Sequence, residues 1–347
     1  MKRSLFWLLS LLAFSCGQQG DGWQETDQLN IYNWTYYIPD DVVADFQKEF
    51  NIKVVYDQYS SNEEMYAKII SGGTGYDIVV PTQDYTSILI AQGLLAPVNL
   101  ELIPNFQLIN PTIKAKNTFD SEFKFSVPYM IGCAGIVVDT SKVPNFERSW
   151  SVFLLPGIKG KATLLDDPRQ TIGSALMYLG YSPNTVNDDE LNQALNLLLK
   201  WKENILRFDS ESQGKGFASG EFWVVHSYAE NVITELDAVK RLKTQFFIPK
   251  EGSPMYLDSF VILKNAPNKI NAHKFINFIH RPDVYARICK HLGYPSINTK
   301  AAEILALDTE FKPNYTIEDL ATSVLYLDLG ENLEKYNRIW AQLRSGN

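Results

Sequence analysis

Apolar and polar positions along this chain change period in short, regular blocks. Leu29–Trp34 alternates and predicts a strand, and Asp40–Phe50 follows at helical spacing, with Val42, Val43, Phe46 and Phe50 on one face. Asp40 or Asp41 is placed to cap that helix. Ile52–Asp57 predicts a second strand. Ser61-Asn62-Glu63-Glu64 has the form of a capping box that opens a helix to Ile70, which Gly72-Gly73 ends. Tyr76–Pro81 predicts a buried strand, with a helix from about Asp84 to Gln92 before Gly93. This βαβαβ rhythm with short connections predicts an α/β fold with a parallel sheet. Further strands are predicted at Gly135–Asp139, Ala162–Leu165, Trp223–Ser227, Gln245–Ile248 and Phe260–Lys264. Helices are predicted at Asp188–Ile205, Ala229–Leu242 and Lys269–Leu292, the last interrupted at Arg281-Pro282. The sequence shows no internal repeat, glycine-rich phosphate loop or low-complexity tract.

The first 26 residues break this pattern. Lys2, Arg3 and Ser4 precede a mostly apolar run from Leu5 to Phe14, too short for a membrane-spanning helix. Leu12-Ala13-Phe14-Ser15-Cys16 resembles a bacterial lipoprotein signal cut before Cys16, although Phe14 departs from the small residue usual there. An ordinary cleaved secretory signal is the alternative. On the lipoprotein reading residues 1–15 are a signal peptide, Cys16 carries the lipid and residues 16–26 form a polar tether.

Length and composition narrow the function. A chain of 347 residues with 45% hydrophobic positions suggests about two domains. With 32 Lys and Arg against 40 Asp and Glu its net charge is −8, and losing Lys2 and Arg3 with the signal makes it −10. An acidic chain without a basic block is poorly suited to nucleic acid. The content of 7 Trp, 18 Tyr and 19 Phe is unusual, and in an acidic chain it reads either as a large core or as a surface built to hold a cation.

Ligands of open α/β sheets bind beyond the carboxyl ends of strands. At these ends the chain carries Asn33-Trp34-Thr35-Tyr36-Tyr37, Thr82-Gln83-Asp84-Tyr85, Asp166-Asp167-Pro168-Arg169-Gln170 and His226-Ser227-Tyr228. Tyr256-Leu257-Asp258-Ser259 and Gly293-Tyr294-Pro295 repeat the theme. Ring faces attract ammonium groups and pack on methylenes, while carboxylates accept charge-assisted N–H bonds. Catalytic patterns are weaker. His226, His273, His280 and His291 show no metal spacing, no GxSxG elbow occurs, and Asp166 and Asp167 point to opposite sides of a strand. Cys133 and Cys289 sit in apolar contexts and read as buried free thiols, with a disulfide as the alternative.

These segments resemble the periplasmic polyamine-binding proteins of ABC transporters, the spermidine/putrescine-binding PotD family. Tyr32-Asn33-Trp34-Thr35-Tyr36-Tyr37-Ile38-Pro39, Tyr76-Asp77-Ile78-Val79-Val80-Pro81-Thr82, Leu164-Leu165-Asp166-Asp167, Leu257-Asp258-Ser259 and Gly293-Tyr294-Pro295 run in family order. The resemblance implies a two-lobed type II periplasmic binding fold. Each lobe would be a mainly parallel sheet flanked by helices, with the ligand cleft between lobes and the hinge crossed twice. Residues 27–132 plus 258–303 would form one lobe and 133–257 plus 304–347 the other. It implies a monomeric polyamine binder without enzymatic activity, cofactor or metal, which closes on putrescine or spermidine and presents it to a permease driven by an ATPase.

Carried over by position, the resemblance implies a ligand site of Trp34, Thr35, Tyr36, Tyr37, Thr82, Asp84, Asp167, Gln170, Tyr228, Tyr256, Asp258, Tyr294 and Tyr326. Tyr36 and Gln170 stand where the family has acids. That leaves Asp84, Asp167 and Asp258 as pocket carboxylates and favours putrescine over spermidine. Other readings are the same fold around iron, thiamine or a sugar, a non-transport envelope lipoprotein, and an enzyme on this scaffold.

Overall fold

Gln28–Trp34 (β1) buries Leu29, Ile31 and Tyr32 and begins the first of two sheets. The computed structural model describes residues 26–35, 37–72 and 75–345; the signal segment, Cys16, the tether up to residue 25 and Tyr36 lie outside them. The other strands are Lys53–Tyr59 (β2), Ile78–Val79 (β3), Ser126–Cys133 (β4), Gly135–Asp139 (β5), Ala162–Leu164 (β6), Ile205–Phe208 (β7), Val224–Ser227 (β8), Thr244–Phe247 (β9), Pro254–Ile262 (β10) and Val324–Leu325 (β11). The first sheet runs β11-β10-β3-β1-β2, with β4 also on β10, and the second runs β7-β6-β8-β5-β9.

The pairing is mixed. β1 lies parallel to β2 and β3, and β6 parallel to β7 and β8. β10 is antiparallel to β3 and β4, and β5 to β8 and β9. The parallel pairs are those the βαβ rhythm predicts. The antiparallel ones arise where the chain enters a lobe from the other and so runs against the resident strands.

Three segments join the lobes: Ala134 between β4 and β5, residues 248–253 between β9 and β10, and the stretch from β11 to the helix Leu333–Ser345. That helix buries Tyr336, Ile339 and Leu343 in the second lobe's core. The lobe boundaries therefore differ from those the resemblance implied. β10 starts at Pro254 because it pairs along β4, and Leu305, Tyr315, Leu320 and Leu325 pack into the first core.

Local rules account for most helices. The helix Asp40–Phe50 starts after Pro39 with no side-chain cap, and Asp40 and Asp41 instead occupy its first turn, facing the amide dipole. Ser61 Oγ accepts from Glu64 N at 3.2 Å, but Glu64 returns its carboxylate to Ser60 N at 2.9 Å, one residue earlier than a capping box would. Ala229–Leu242 forms two short helices, Ala229–Ile233 and Ala238–Arg241, the second capped by Asp237 accepting from Lys240 N at 2.8 Å. Pro282 divides Lys269–Ile279 from Pro282–Leu292 as its missing N–H predicts. Among the described residues no helix is long and apolar enough to cross a membrane.

Candidate functional site

The β10 edge is interrupted at the cleft. On the side away from β4, β11 pairs only with Pro254 and Met255, and β3 only with Val261 and Ile262. Side chain and loop fill the gap. Leu257 N donates to Gln83 Oε1 at 2.8 Å, Ser259 N donates to Pro81 O at 3.1 Å, and Gln83 Nε2 reaches Tyr326 O. Between those two amides stands Asp258, at a register irregularity against β4. An irregularity of this kind re-aims a side chain, and the Asp258 carboxyl lies on the wall of a cleft of about 840 Å³.

Asp258 is only 3% exposed. Its Oδ2 accepts from the Tyr37 hydroxyl, and its Oδ1 has no hydrogen-bond partner among the described residues. Burial pushes this carboxyl up to about 8; the Tyr37 bond works against the rise and Asp84 adds to it. Tyr37 is held in turn by Tyr129, whose hydroxyl donates to the Tyr37 carbonyl at 2.7 Å.

Rings surround this acid. Trp34, at the end of β1, donates from Nε1 to Val80 O at 2.8 Å and lies 4.7 Å from the Tyr59 ring. Thr35 also lines the cleft. Tyr256 precedes Asp258 by two residues and shares its face of β10. The Tyr256 ring meets Tyr228 edge-on at 6.0 Å. Gly293 turns the chain at φ 71°, a conformation suited to glycine, and delivers Tyr294. Tyr294 donates to Glu230 Oε1 at 2.6 Å, which leaves Tyr256 the donor to Tyr294 at 2.9 Å. Tyr326 completes this wall.

The cleft thus gathers Trp34, Thr35, Tyr37, Thr82, Tyr228, Tyr256, Asp258, Tyr294 and Tyr326 from the positions singled out in the sequence. Asp84, Asp167 and Gln170 are not on its wall. Asp84 accepts from Thr82 Oγ1, which itself accepts from Asn62 Nδ2 at 2.8 Å. Asp167 caps the helix Pro168–Tyr178, accepting from Gln170 N at 3.0 Å, and Gln170 is buried within it. Arg169 lies between these acids electrostatically and lowers both, although burial raises each overall. Its guanidinium stacks 5.6 Å from the Tyr326 ring and donates to Leu327 O at 3.0 Å and Asn184 Oδ1 at 2.9 Å. Asp166 points to solvent and pairs with Arg344 at 2.8 Å.

Glu230 was missed. It sits in the first turn of Ala229–Ile233, two residues beyond the Tyr228 position that the strand-end rule reaches, and lines the cleft. Burial raises its carboxyl and the Tyr294 bond lowers it. His226 is a core residue, its ring 4.9 Å from Trp150 and pulled down to about 3 by burial. Cys133 and Cys289 are buried free thiols. A second hollow of about 370 Å³ is lined by Glu49, Arg281, Asp283 and Arg287. Its arginines are already paired, Arg281 with Glu49 at 2.8 Å and Arg287 with Asp45 at 2.7 Å.

Comparison with known proteins agrees with this architecture. The family model described as bacterial extracellular solute-binding protein matches residues 41–316. The chain is 32% identical over 362 residues to the putrescine-binding periplasmic protein PotF of Escherichia coli (strain K12), covering 98% of each. It is 33% identical over 358 residues to the spermidine/putrescine-binding periplasmic protein of the same organism, covering 100% of both. Among solved structures, the TpPotD lipoprotein of Treponema pallidum matches with a TM-score of 0.84 at 40% identity, over 91% of this chain and 99% of that one. The chain belongs to the bacterial extracellular solute-binding protein family.

Proposed function

We propose that this protein is the polyamine-binding component of an ABC importer. It captures putrescine or spermidine in the cleft by closing its lobes and hands the ligand to a membrane permease driven by an ATPase. The observation that carries this reading is Asp258: a buried carboxyl with an unpartnered oxygen on an aromatic wall. A buried charge without a partner is costly, and an ammonium whose methylenes lie against Trp34, Tyr228 and Tyr256 supplies the missing donor and counter-charge. Relatives named for putrescine and spermidine binding support the same ligand class. The chemistry is capture and release, with no reacting group on the cleft wall assigned to bond making or breaking.

The protein works as a monomer outside the cytoplasm, held to a membrane by lipid on Cys16. Substituting Cys16 by Ala and following the protein between membrane and soluble fractions tests the anchor; an unchanged membrane fraction excludes it. The ligand is tested by thermal shift with putrescine, cadaverine, spermidine and spermine on ligand-stripped protein, with glutamate as control. Saturating polyamine should stabilise the fold by several kcal/mol at concentrations far above Kd. No shift with any polyamine would refute the proposal.

A further inference from the structure

The acids on the cleft wall are not the three expected from the sequence. Asp84 and Asp167 are off the wall and share the field of the Arg169 guanidinium. Glu211 and Glu235 line the cleft but are exposed, where water and salt screen a charge. The two inner carboxylates are Asp258 from the first lobe and Glu230 from the second. Each is held by one tyrosine hydroxyl, Asp258 by Tyr37 and Glu230 by Tyr294 at 2.6 Å. A carboxylate has about four lone-pair sites, so one tyrosine leaves capacity for an ammonium at each. Tyr256 connects the two ends: it stands two residues from Asp258 on β10, and its hydroxyl donates to Tyr294, which donates to Glu230.

We propose that Glu230 is the second ammonium anchor of the cleft, facing Asp258 across the lobes, and that this pair makes the protein selective for a short diamine. The inference rests on the polyamine reading above. One ammonium meets Asp258, the other meets Glu230, and the methylenes between them cross the Tyr256 ring. A monoamine satisfies one carboxylate only. A triamine brings a third ammonium to a cleft whose remaining acids are either beside Arg169 or in solvent.

The test is calorimetry with putrescine, cadaverine, spermidine and butylamine on the full chain and three variants. The unmodified protein should prefer putrescine over butylamine by about ten-fold or more. Glu230→Gln should lose about that factor for putrescine and leave butylamine unchanged, so that the preference collapses. Asp166→Asn removes a carboxylate that faces solvent and pairs with Arg344 away from the cleft, and should keep the preference. Glu230→Asp draws the anchor back by one methylene and should move the optimum from putrescine toward cadaverine, a shift that a structural role does not produce. Glu230→Gln binding both amines as before, or losing both equally, overturns the inference, as does a Glu230→Asp protein with an unmoved optimum. An unmodified protein that binds no polyamine overturns the transport reading itself.

Discussion

Polyamine capture by this cleft should be linked to pH through Asp258. The perturbation is a change of pH across the range in which its carboxyl titrates. Burial holds that carboxyl up to about 8 in the ligand-free protein, and an ammonium binds the carboxylate, not the acid. Below that value capture must expel a proton. For a single group the apparent affinity falls by about two-fold at pH 8, about ten-fold at pH 7 and about 100-fold at pH 6, relative to its plateau at high pH. Calorimetry in buffers of different ionisation enthalpy reads both the affinity and the protons released, which should approach about one per ligand below about pH 7. Glu230 is also raised by burial and acts in the same direction where an ammonium meets it. Asp258→Asn isolates the effect, because the variant should bind more weakly and lose about one decade of slope per pH unit. Affinity that stays flat from about pH 6 to about pH 8, with no proton released, would refute the assignment of Asp258 as the ammonium's partner.

The same shift has the opposite sign for the empty fold. The folded carboxyl keeps its proton between about pH 4 and about pH 8 while the unfolded one has lost it, so stability at this position falls as pH rises through that window. Asp258→Asn should therefore raise the Tm of ligand-free protein near pH 8 while weakening putrescine binding by roughly 2–5 kcal/mol; a lowered Tm would show that the carboxylate is stabilised by contacts other than those seen. A Cβ on Gly132 would fall 2.5 Å from Tyr256 Oη and 2.9 Å from Tyr315 Oη. Gly132→Ala should thus displace Tyr256 and weaken putrescine binding without removing a ring or a charge, and calorimetry showing unchanged affinity would place Tyr256 outside the ligand's path. Trp34 fluorescence should change on adding putrescine and not glutamate, with Trp34→Phe abolishing the change; a signal that survives the substitution would come from another of the seven Trp.

The sequence carried those parts of the fold that depend on local rules. Asp40–Phe50 and Gly135–Asp139 are read to the residue because one has a clean helical stripe and the other is a short apolar block. β4 was unreadable: all of its residues are buried, Pro128 lies within it, and a strand covered on both sides loses the alternation that marks a half-exposed one. β10 was found only from Phe260, because Asp258 and Ser259 look like the end of a turn when their register against β4 is unseen. The site followed the same division. Strand-end rings and Asp258 were legible because strand ends face clefts in α/β sheets. Glu230 was not, since it lies in a helix's first turn, where an acid is ordinarily read as a helix-dipole partner. Asp84 and Asp167 were misplaced for the reverse reason: sequence shows an acid at a strand end but not the Thr82 hydroxyl, the Gln170 amide or the Arg169 charge that engage it.

On the proposed reading, that contrast between two sets of acids leaves the ligand, and not the protein, to complete the site. Asp84 and Asp167 stand off the cleft wall, already accept from the Thr82 hydroxyl and the Gln170 amide, and feel Arg169 as a neighbouring cation. Asp258 has its backbone fixed on both sides, by Gln83 and by Pro81, yet one carboxyl oxygen is left open. Fixing the position lowers the ordering cost of binding, and leaving one buried carboxyl oxygen without a partner makes the empty state less favourable than the filled one. Had Arg169 reached Asp258, the empty cleft would be stabler and the gain on binding an amine smaller. The aromatic rings alone could not restore that gain, because a ring and an ammonium contribute about 0.5–2 kcal/mol, less than a desolvated charge pair. On that reading, the affinity of the cleft should depend on where the protein withholds an arginine as much as on where it places its rings.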